Sequence, residues 1–352
     1  MKTRVLKVDL ANPEKEHIKE AAKVLIKGGL VVIPTETVYG IAADSEDKGA
    51  MARLTEIKKR PPDKPFSLHL ALKQDVERYA SDILPAAYRL MESFWPGPLT
   101  LVFKAKDNAK VGIRIPNHKI ALAVIQESGV PLVCPSANLS GNPAPQTAGE
   151  ALKDIDGLVD LVLDAGKTDL GKESTVVDVS QLPVVVLREG VILAGKVTQV
   201  AHKKTVLFVC TGNSCRSVMA KELLEKKLKE GKRQDVQVLS AGIMLLGGLG
   251  ATDPTRELLK REGIDVSAHR SQGVTPEMIK QSELILVMEK LHEVKVLELV
   301  PEAKNRLFLL KEFAEIKDSQ LDIADPIGKP YEYYSQTFTV IKEAIERIAQ
   351  LI

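Results

Sequence analysis

The chain has 352 residues, of which 44 % are apolar and 27 % charged, and its formal net charge is +2 at pH 7. This composition is typical of a soluble globular protein, and the small net charge excludes a strong global field for binding nucleic acid or a membrane, although local basic clusters remain open. No apolar run approaches the about 18 residues that span a bilayer, and the start, MKTRVLKVDLANPEKEH, lacks the apolar core of a signal peptide. We therefore expect a cytoplasmic protein with no membrane partner.

The order of the predicted elements favours an α/β protein of two domains. In the first part, apolar β-branched runs predict strands at 30–33, 99–103, 111–115, 132–134, 161–163, 175–177 and 184–187. In the second part they predict strands at 206–210, 236–239, 284–287 and 306–309, and a last helix from about 333 to 351. The stretch AGKVTQVAHKKT between them is polar and weakly patterned. We place a boundary near 200–204, which gives domains of ordinary size at 1–200 and 205–352.

The first domain carries polar clusters where its predicted strands end. LVVIPTETVYGIAAD stops a strand at Pro34 and continues with hydroxyl groups, KKRPPDK puts four cations in residues 58–64, and VCPSANLSGNPAP follows another strand. Basic residues beside hydroxyl-rich loops suit a polyphosphate ligand, although each cluster by itself is more often a solvated loop or an ordinary turn. Neither GxxxxGK[ST] nor GxGxxG occurs, so the residues alone leave open an anionic small molecule or a nucleic acid.

In the second domain, FVCTGNSCRS joins a predicted strand to a predicted helix. Free backbone N–H groups and the helix dipole make such a junction an anion site. Cys210 and Arg216 have the C-x5-R spacing of a phosphate loop, in which a thiolate attacks and an arginine holds two phosphoryl oxygens. We expect the local positive field to lower the pKa of Cys210 and make its thiol a nucleophile.

Other residues near this loop have supporting roles. Gly212 allows a tight turn, Asn213 tolerates a left-handed backbone, and Ser217 can donate a hydrogen bond to the Cys210 sulfur. The leaving group needs an acid, and LDIADPIGKPYEYY offers Asp325 in an Asp-Pro turn. A buried cysteine at a strand end is usually inert and a lone Asp-Pro is usually a turn, so the prediction depends on their conjunction.

The cysteines and histidines show no metal-binding spacing. Three cysteines in a chain of this length argue against a secreted disulfide scaffold and favour a reducing compartment. The six histidines are scattered, and neither CxxC nor HExxH occurs. We predict no zinc or other protein-bound metal site.

Residues 205–352 resemble the low-molecular-weight protein phosphatases in VLFVCTGNSCRS, LSAGI, GIDVSAHRS and DPIGKPYEYY. The resemblance implies a doubly wound, parallel-sheet domain with Cys210 as nucleophile, Arg216 as phosphate clamp and Asp325 as general acid. The phosphate loop it implies contains Thr211, Gly212, Asn213, Ser214, Cys215 and Ser217. It also implies a reversible disulfide between Cys215 and Cys210, with simple packing of Cys215 as the alternative.

Members of that family differ in substrate. Thioredoxin-linked arsenate reductases need further cysteines downstream, and none follows Cys215. Tyrosine phosphatases usually carry a bulky aliphatic residue at the position of Ser214 and aromatic residues at the pocket rim. Here Ile327 follows the Asp-Pro, and GIMLLGGLG has no aromatic residue. Arginine phosphatases place a threonine at the position of Ser214, so we favour a phosphoprotein substrate carrying phosphoarginine, with phosphotyrosine as the alternative.

Residues 15–195 resemble the YrdC-type threonylcarbamoyl-adenylate synthases. The matching motifs are PTETVYG, the K-x-R of Lys58 and Arg60 with Lys64, the S-x-N of Ser136 and Asn138, ESTVVD and LREG. The resemblance implies a twisted, mixed-sheet α/β domain that joins L-threonine, bicarbonate and ATP into threonylcarbamoyl-AMP and releases pyrophosphate. On the threonine and phosphate side it implies Thr35, Tyr39, Lys58, Arg60 and His69, together with Lys64. On the nucleotide it implies Arg114, Ser136, Asn138, Ser174 and Arg188.

The same resemblance implies Mg²⁺ on the ATP phosphates and catalysis mainly by positioning and charge neutralisation. The product would pass to a separate transferase complex that makes threonylcarbamoyladenosine in tRNA. An alternative makes the first domain an RNA-binding module and the second a tyrosine phosphatase. The near-neutral charge does not favour direct tRNA binding. A third alternative, the carbamoyl transfer of hydrogenase maturation, uses a related domain but needs zinc CxxC modules that are missing here.

Overall fold

The computed structural model describes residues 2–59, 65–244 and 247–352. The chain divides between Ala201 and His202 into two compact units, each with its own hydrophobic core. Helices and strands alternate along both units, which confirms the α/β class. Among the described residues, no helix is long and apolar enough to cross a lipid bilayer.

The first unit is built on one mixed sheet. Its strands are β1 (Arg4–Lys7), β2 (Val31–Ile33), β3 (Gly40–Asp44), β4 (Leu68–His69), β5 (Ala80–Ser81), β6 (Leu99–Ala105), β7 (Lys110–Arg114), β8 (Leu132–Val133), β9 (Leu161–Asp164), β10 (Thr175–Asp178) and β11 (Val185–Arg188). Its α-helices are α1 (Lys15–Ile26), α2 (Lys48–Lys58), α3 (Val76–Tyr79), α4 (Pro85–Phe94), α5 (Lys119–Ser128), α6 (Ala148–Ile155) and α7 (Ala194–Ala201). The strand order is β1-β9-β2-β3-β8-β4-β7-β6-β10-β11, with β5 beside β6. Parallel pairs such as β6–β10 occur with antiparallel pairs such as β6–β7, as the mixed-sheet prediction requires.

Alternate residues of the central strands pack into different layers of the core. Val31 and Ile33 of β2 belong to one cluster with Leu25 of α1 and Val124 of α5, whereas Val32 belongs to the other. All five side chains are almost completely buried. A strand that is buried on both faces reads as a continuous apolar run, which is why LVVI was recognisable as a strand.

The strand β3 was not predicted, because Pro34 in LVVIPTETVYGIAAD was taken as the end of the strand. The backbone reverses over residues 34–39, and Gly40 of β3 then pairs antiparallel with Ile33. A Cβ atom on Gly40 would lie 2.4 Å from the Cys134 sulfur, so only glycine lets β3 pass this close to the end of β8. The PTETVY connection is thereby held beside the loop that follows Cys134.

The stretch AGKVTQVAHKKT is not wholly irregular, contrary to our interpretation of its polarity. Its first eight residues form α7, which buries Val197 and Ala201. Arg89 of α4 donates hydrogen bonds to the carbonyl oxygens of Val200, at 3.4 Å, and Ala201, at 2.7 Å. Two buried positions in so short a helix give a weak periodic signal, which is why the pattern did not reveal it.

Removing the buried methyl groups of α7 should destabilise the first unit. We expect Val197→Ala to lower its free energy of unfolding by about 2 kcal/mol, because Val197 is completely buried and α7 has few other anchors. Trp95 is the only tryptophan of the chain and lies directly after α4 in the first unit, so its fluorescence during urea unfolding reports on this unit alone. The exposed neighbour Thr198, replaced by alanine, is the control; equal midpoints for both variants would contradict the prediction.

The second unit contains a smaller sheet. Its strands are β12 (Lys204–Cys210), β13 (Val236–Gly242), β14 (Leu284–Val287) and β15 (Leu307–Leu309). Its α-helices are α8 (Arg216–Glu230), α9 (Asp253–Arg261), α10 (Pro276–Lys280), α11 (Lys290–Leu299), α12 (Leu310–Phe313) and α13 (Tyr331–Leu351). All strand pairs are parallel, in the order β13-β12-β14-β15. Phe208 packs with residues of α8 and α13, whereas Leu207 packs with residues of α10 and α11, so helices cover both faces. This confirms the doubly wound, parallel-sheet prediction.

Candidate active sites

The loop after β12 lies where a doubly wound sheet leaves a crevice. The chain goes from β12 to one neighbour, β13, and later returns on the other side as β14, so the strand order reverses at β12. Cys210 ends β12, and Arg216 begins α8. Asn213 between them has a left-handed backbone with φ of 50°, as predicted for this loop. The residues from Cys210 to Ser217 therefore wrap around the N-terminus of α8.

Cys210 is buried and has a hydroxyl partner. Its sulfur lies 2.9 Å from Ser217 Oγ, and the Asn213 side-chain amide donates to the same Ser217 oxygen at 3.0 Å. Since Ser217 Oγ accepts from Asn213, its own proton is free to point to the sulfur. Burial raises the pKa of the Cys210 thiol, while Ser217 and the Arg216 charge act to lower it. The expected net lowering of this pKa is therefore wrong, because burial outweighs the effects of Ser217 and the Arg216 charge.

Those carboxylates lie against Arg216, which is only 1 % exposed. Its Nη1 donates to Glu289 Oε2 at 2.5 Å and to the Ile323 carbonyl at 2.7 Å. Its Nη2 donates to Asp325 Oδ2 at 2.5 Å and to Thr211 Oγ1 at 2.9 Å. The remaining donor, Nε, is buried without a hydrogen-bond partner among the described residues. One edge of the guanidinium is therefore left with an unused donor, as a site for an oxyanion requires.

The other loop residues lie around these groups. Ser214 is 8 % exposed, and its hydroxyl lies 3.7 Å from the Cys215 sulfur. Cys215 also lies 3.3 Å from Thr252 Oγ1, and all three cysteines of the chain are free thiols. Gly212 is partly exposed, and a Cβ atom added to it would meet Ser214 Oγ at 3.6 Å. The Asp325 side chain forms a tight turn by accepting from the Ile327 backbone N–H at 3.2 Å.

In the first unit, polar residues surround a cavity of ≈ 450 Å³. Strands β4 and β7 run parallel and place His69 opposite Arg114 in register, so both side chains reach the same end of the sheet. The β3 residue Gly40 bridges to Ser136, which brings the loop after β8 to the same place. The cavity is thus formed at strand ends, where the sequence predicted the polar clusters.

Lys58, the last residue of α2, fixes the loop after β8. Its ammonium group donates to the Ser136 carbonyl at 2.8 Å, to the Asn138 carbonyl at 2.6 Å and to Asn138 Oδ1 at 2.9 Å. The Asn138 amide nitrogen donates onward to the Asn142 carbonyl at 2.6 Å. Lys58 is 8 % exposed, so its charge lies inside the cavity wall and within a hydrogen-bonded loop.

Arg114 connects β7 to the PTETVY connection. Its Nη2 donates to Thr37 Oγ1 at 2.9 Å and lies 2.8 Å from Glu36 Oε1, where the geometry is that of an ion pair rather than a hydrogen bond. Thr35 donates to the Val38 carbonyl at 2.7 Å and lies 2.9 Å from Thr37 Oγ1. Arg114 and the threonine hydroxyl groups thereby form one buried network.

His69 is neutral in this environment. Burial, and then the charge of Arg114, lower its pKa to about 3. Its Nδ1 lies 3.3 Å from the Ser67 carbonyl, which can only accept, so Nδ1 carries the proton. The other ring nitrogen, Nε2, is therefore an acceptor, and His69 lines the cavity.

The opposite wall is formed by β10 and β11. Arg188 donates through Nη2 to the Ser174 carbonyl at 2.9 Å and through Nη1 to Glu173 Oε1 at 3.0 Å. Ser174 Oγ lies 2.9 Å from Thr100 Oγ1. Since Arg188 is exposed while Ser174 is buried, this wall leads from the cavity interior to its mouth.

Comparison with known proteins finds a different family for each unit. The profile of a family described as "Telomere recombination" (Sua5, yciO, yrdC) matches residues 23–190, and that of low molecular weight phosphotyrosine protein phosphatases matches residues 205–352. A threonylcarbamoyl-AMP synthase of Pyrococcus abyssi is 40 % identical over 186 residues, which cover 50 % of this chain and 55 % of that protein. A protein-arginine-phosphatase of Geobacillus stearothermophilus is 41 % identical over 145 residues, which cover 41 % of this chain and 93 % of that protein.

The chain belongs to both families. Its first unit is a Sua5/YrdC domain and its second a low-molecular-weight phosphatase domain, so both predicted resemblances are confirmed. The crystal structure of P. abyssi Sua5 complexed with L-threonine aligns with a TM-score of 0.54 and 26 % identity, and covers 87 % of this chain and 99 % of that one. By sequence, the chain spans little more than half the length of the P. abyssi synthase.

The structure brings together most of the residues predicted for the Sua5/YrdC domain. Those that line the cavity are Thr35, Lys58, His69, Arg114, Ser136, Ser174 and Arg188. Asn138 lies behind Ser136, on Lys58. Tyr39 is not part of the cavity wall, and its hydroxyl donates to the Gly166 carbonyl at 2.6 Å. Burial raises the pKa of that hydroxyl to about 12. Arg60 and Lys64 lie outside the described residues.

Sequence reasoning also missed residues that the structure places at each site. In the Sua5/YrdC domain these are Thr37, Ser67, Thr100 and Lys110, which line the cavity. In the phosphatase domain they are Glu289 and His292, together with His269, whose Nε2 lies 2.7 Å from the Asn213 carbonyl. His269 stands in the matched segment GIDVSAHRS, so that motif contained a signal. Glu289 and His292 stand in an ordinary helix start with no motif.

Across the described residues, no cluster of three or more His, Cys, Asp or Glu side chains could hold a metal ion.

Proposed function

We propose that the chain is a bifunctional enzyme, a threonylcarbamoyl-AMP synthase joined to a cysteine-dependent protein phosphatase. For the phosphatase, the observation that carries the proposal is the buried Arg216 Nε without a partner, beside a thiol at the N-terminus of α8. A phosphoryl dianion would supply an acceptor for this donor and would lie at the N-terminus of α8, where backbone N–H groups favour an anion.

In the proposed reaction, the Cys210 thiolate attacks phosphorus and the bond from phosphorus to the leaving nitrogen or oxygen breaks. The leaving atom takes a proton from the Asp325 carboxyl group. This group lies 2.5 Å from Arg216, which would bind the phosphoryl group. Asp325, now a carboxylate, then takes a proton from water, whose oxygen attacks phosphorus. The sulfur–phosphorus bond breaks and phosphate is released. Ser217 stabilises the departing thiolate by its hydrogen bond.

We further propose that phosphoarginine is preferred over phosphotyrosine. Ser214 contributes a small, polar and buried side chain to the loop, which leaves room and hydrogen-bonding capacity for a guanidinium group. After Asp325 has given its proton to the leaving nitrogen, its carboxylate can pair with the guanidinium group that leaves. Ile327, the residue after the Asp-Pro turn, is exposed and aliphatic, so this position has no aromatic ring to sandwich a phenyl group. The similarity to a protein-arginine-phosphatase supports the same choice.

Two peptides of identical sequence, one with phosphoarginine and one with phosphotyrosine, test this preference. The release of phosphate is measured side by side, with Cys210→Ser as the blank. We expect Ser214→Ile to shift the ratio of kcat/KM towards phosphotyrosine by about tenfold, since the larger side chain fills the polar space and adds apolar surface. The control Ser214→Thr keeps the hydroxyl and should keep the preference. A wild-type preference for phosphotyrosine would contradict the proposal.

For the Sua5/YrdC domain, we propose formation of threonylcarbamoyl-AMP from L-threonine, bicarbonate and ATP with release of pyrophosphate. The observation that carries this proposal is a cavity whose walls combine buried cations with hydroxyl groups, as Lys58, Arg114 and Thr35 do. Such walls suit carboxylates and phosphates together. Similarity to the P. abyssi threonylcarbamoyl-AMP synthase, and to P. abyssi Sua5 in its complex with L-threonine, supports the same reaction.

Two sides of the cavity would divide the substrates. Thr35 and the neutral acceptor nitrogen of His69 suit the hydroxyl and amino groups of threonine, while Ser174 and Arg188 at the mouth suit the nucleotide. Mg²⁺ needs one or two carboxylates besides the substrate phosphates. Glu173 in the cavity wall provides one, so the residues present fit an ion that arrives with ATP. When bound, Mg²⁺ would neutralise phosphate charge, and the Lys58 ammonium group would add to this effect.

The product of this domain would pass to a separate transferase complex that modifies tRNA in the cytoplasm. Threonine-dependent release of pyrophosphate from ATP and bicarbonate is the direct test of the synthase proposal. Pyrophosphate release without threonine would contradict it. Salt-sensitive binding of RNA that needs no threonine would instead favour an RNA-binding module.

A further inference from the structure

His292 lies against the phosphate loop and uses both ring nitrogens. It is completely buried in the first turn of α11. Its Nδ1 lies 3.0 Å from the backbone nitrogen of Glu289, and its Nε2 lies 3.0 Å from Thr211 Oγ1. A backbone N–H can only donate, so Nδ1 must accept. In the neutral ring the proton is then on Nε2, and His292 donates it to Thr211.

Thr211 links His292 to Arg216. Its Oγ1 also accepts from Arg216 Nη2 at 2.9 Å. With His292 and Arg216 both donating to one oxygen, the two lone pairs of that oxygen are occupied, and the Thr211 side chain has a single favourable orientation. A continuous path of hydrogen bonds therefore runs from the start of α11 through His292 and Thr211 to Arg216.

Arg216 has a second contact with the first turn of α11, through the N-cap residue Glu289. The Glu289 carboxylate caps α11 by accepting from the His292 backbone N–H, and it also accepts from Arg216 Nη1 at 2.5 Å. Arg216 Nη1 and Nη2 are thus both restrained by residues that depend on this capping box. The consequence is that Arg216 Nε, the donor without a partner, keeps a fixed direction.

We propose that His292 is a positioning residue of the phosphatase site, which holds Thr211 Oγ1 against Arg216 and so keeps the Nε edge of Arg216 turned to the phosphoryl group. This inference rests on the proposed phosphatase function. Burial, and then the Arg216 charge, lower the pKa of His292 to about 4, so the ring is neutral and keeps one tautomer under ordinary assay conditions. His292 acts through the direction of a hydrogen bond and carries no charge.

Two substitutions separate the roles of the ring nitrogens. Asparagine can place an acceptor near the position of Nδ1 and preserve the cap on Glu289, but it is too short to reach Thr211. Glutamine can place an N–H near the position of Nε2 and preserve the donor to Thr211. If His292 served only to cap α11, His292→Asn would be the better replacement. Our proposal predicts the reverse.

The experiment measures kcat/KM on whichever of the two phosphopeptides the wild-type chain prefers, and the inhibition constant of inorganic phosphate. We expect His292→Asn to lower kcat/KM and to raise the inhibition constant by about tenfold each, the size of one hydrogen bond. His292→Gln should restore most of both values. Thr211→Val should resemble His292→Asn, and the double variant Thr211→Val/His292→Asn should be no worse than either single variant, because both break the same path.

The full-length chain supplies its own folding controls, namely the thermal unfolding of the phosphatase domain and threonine-dependent pyrophosphate release by the other domain. If the wild-type chain releases no phosphate above the Cys210→Ser blank, the proposed function itself fails. If the wild type is active but His292→Asn and His292→Gln are alike, or if the losses from Thr211→Val and His292→Asn add, the positioning role of His292 is wrong while the phosphatase function stands.

Discussion

Replacing Cys210 with serine should abolish phosphatase turnover while leaving pyrophosphate release by the Sua5/YrdC domain unchanged. We expect kcat on either phosphopeptide to fall by at least about 10⁴-fold, the scale seen when a nucleophile is removed from an enzyme. A serine hydroxyl is almost entirely protonated at neutral pH and is a far weaker nucleophile than a thiolate. Arg216 and Asp325 remain in place in this variant, so inorganic phosphate should still bind.

The matched control is Cys215→Ser, in the same loop. The Cys215 sulfur lies 3.3 Å from Thr252 Oγ1 and 3.7 Å from Ser214 Oγ. Among the described residues, we find no hydrogen bond from this sulfur to Cys210 or Ser217. Serine can replace its weak hydrogen bond, so this variant should keep most of its activity under reducing conditions. Comparable losses in the two variants would mean that the loop tolerates no change at either cysteine. The nucleophile would then have to be identified by trapping the phosphocysteine itself.

The phosphatase loop could be predicted because its parts are adjacent in the chain. Cys210, Asn213, Arg216 and Ser217 fall within eight residues, and the strand and helix around them have clear apolar patterns. Residues that reach the loop from other elements carry no such signal. Glu289 lies 73 positions from its partner Arg216, and nothing in MEKLHEV distinguishes it from any other acidic residue that caps a helix. Tertiary contacts of this kind become visible only in the folded structure.

The electrostatics of the loop also required the structure. A cysteine at a helix N-terminus beside an arginine is expected to ionise easily. In the structure Cys210 is completely buried, and burial raises the pKa of its thiol in spite of the Arg216 charge. Arg216 is itself paired with Glu289 and Asp325. Glu289, Asp325 and Arg216 are all present in the sequence, but only the structure shows that both carboxylates pair with the one arginine.

In the Sua5/YrdC domain the motifs located the cavity but not the role of each residue. PTETVYG contributes Thr35 and Thr37 to its walls, whereas Tyr39, two positions further along the same motif, turns away to bond the Gly166 carbonyl. A motif indicates which segment lies near the cavity, while the backbone reversal between β2 and β3 decides which side chains line it. Lys110, which stands in no motif, reaches the mouth because β7 lies in the middle of the sheet, between β4 and β6.

The second large effect is expected from Lys58→Met, which keeps the length of the side chain and removes its charge and donors. We expect kcat/KM for threonine-dependent pyrophosphate release to fall by about 10²- to 10³-fold, as when one positioned donor is removed from a site that stabilises negative charge. The loss has two physical sources. The positive charge in the cavity wall disappears, and the Ser136 and Asn138 carbonyl groups lose the ammonium donor that fixes their loop.

Lys59→Met is the matched control, because Lys59 is the next residue, is exposed and lies outside the cavity lining. Its activity should remain close to that of the wild type. Two measurements distinguish the two causes of the Lys58→Met effect: the Michaelis constant for ATP, and the midpoint of urea unfolding followed by Trp95 fluorescence. Loss of the loop clamp lowers the unfolding midpoint, whereas loss of charge alone raises the Michaelis constant at an unchanged midpoint. Full activity of Lys58→Met would show that neither the charge nor the clamp serves the reaction, and the synthase assignment of this cavity would have to be abandoned.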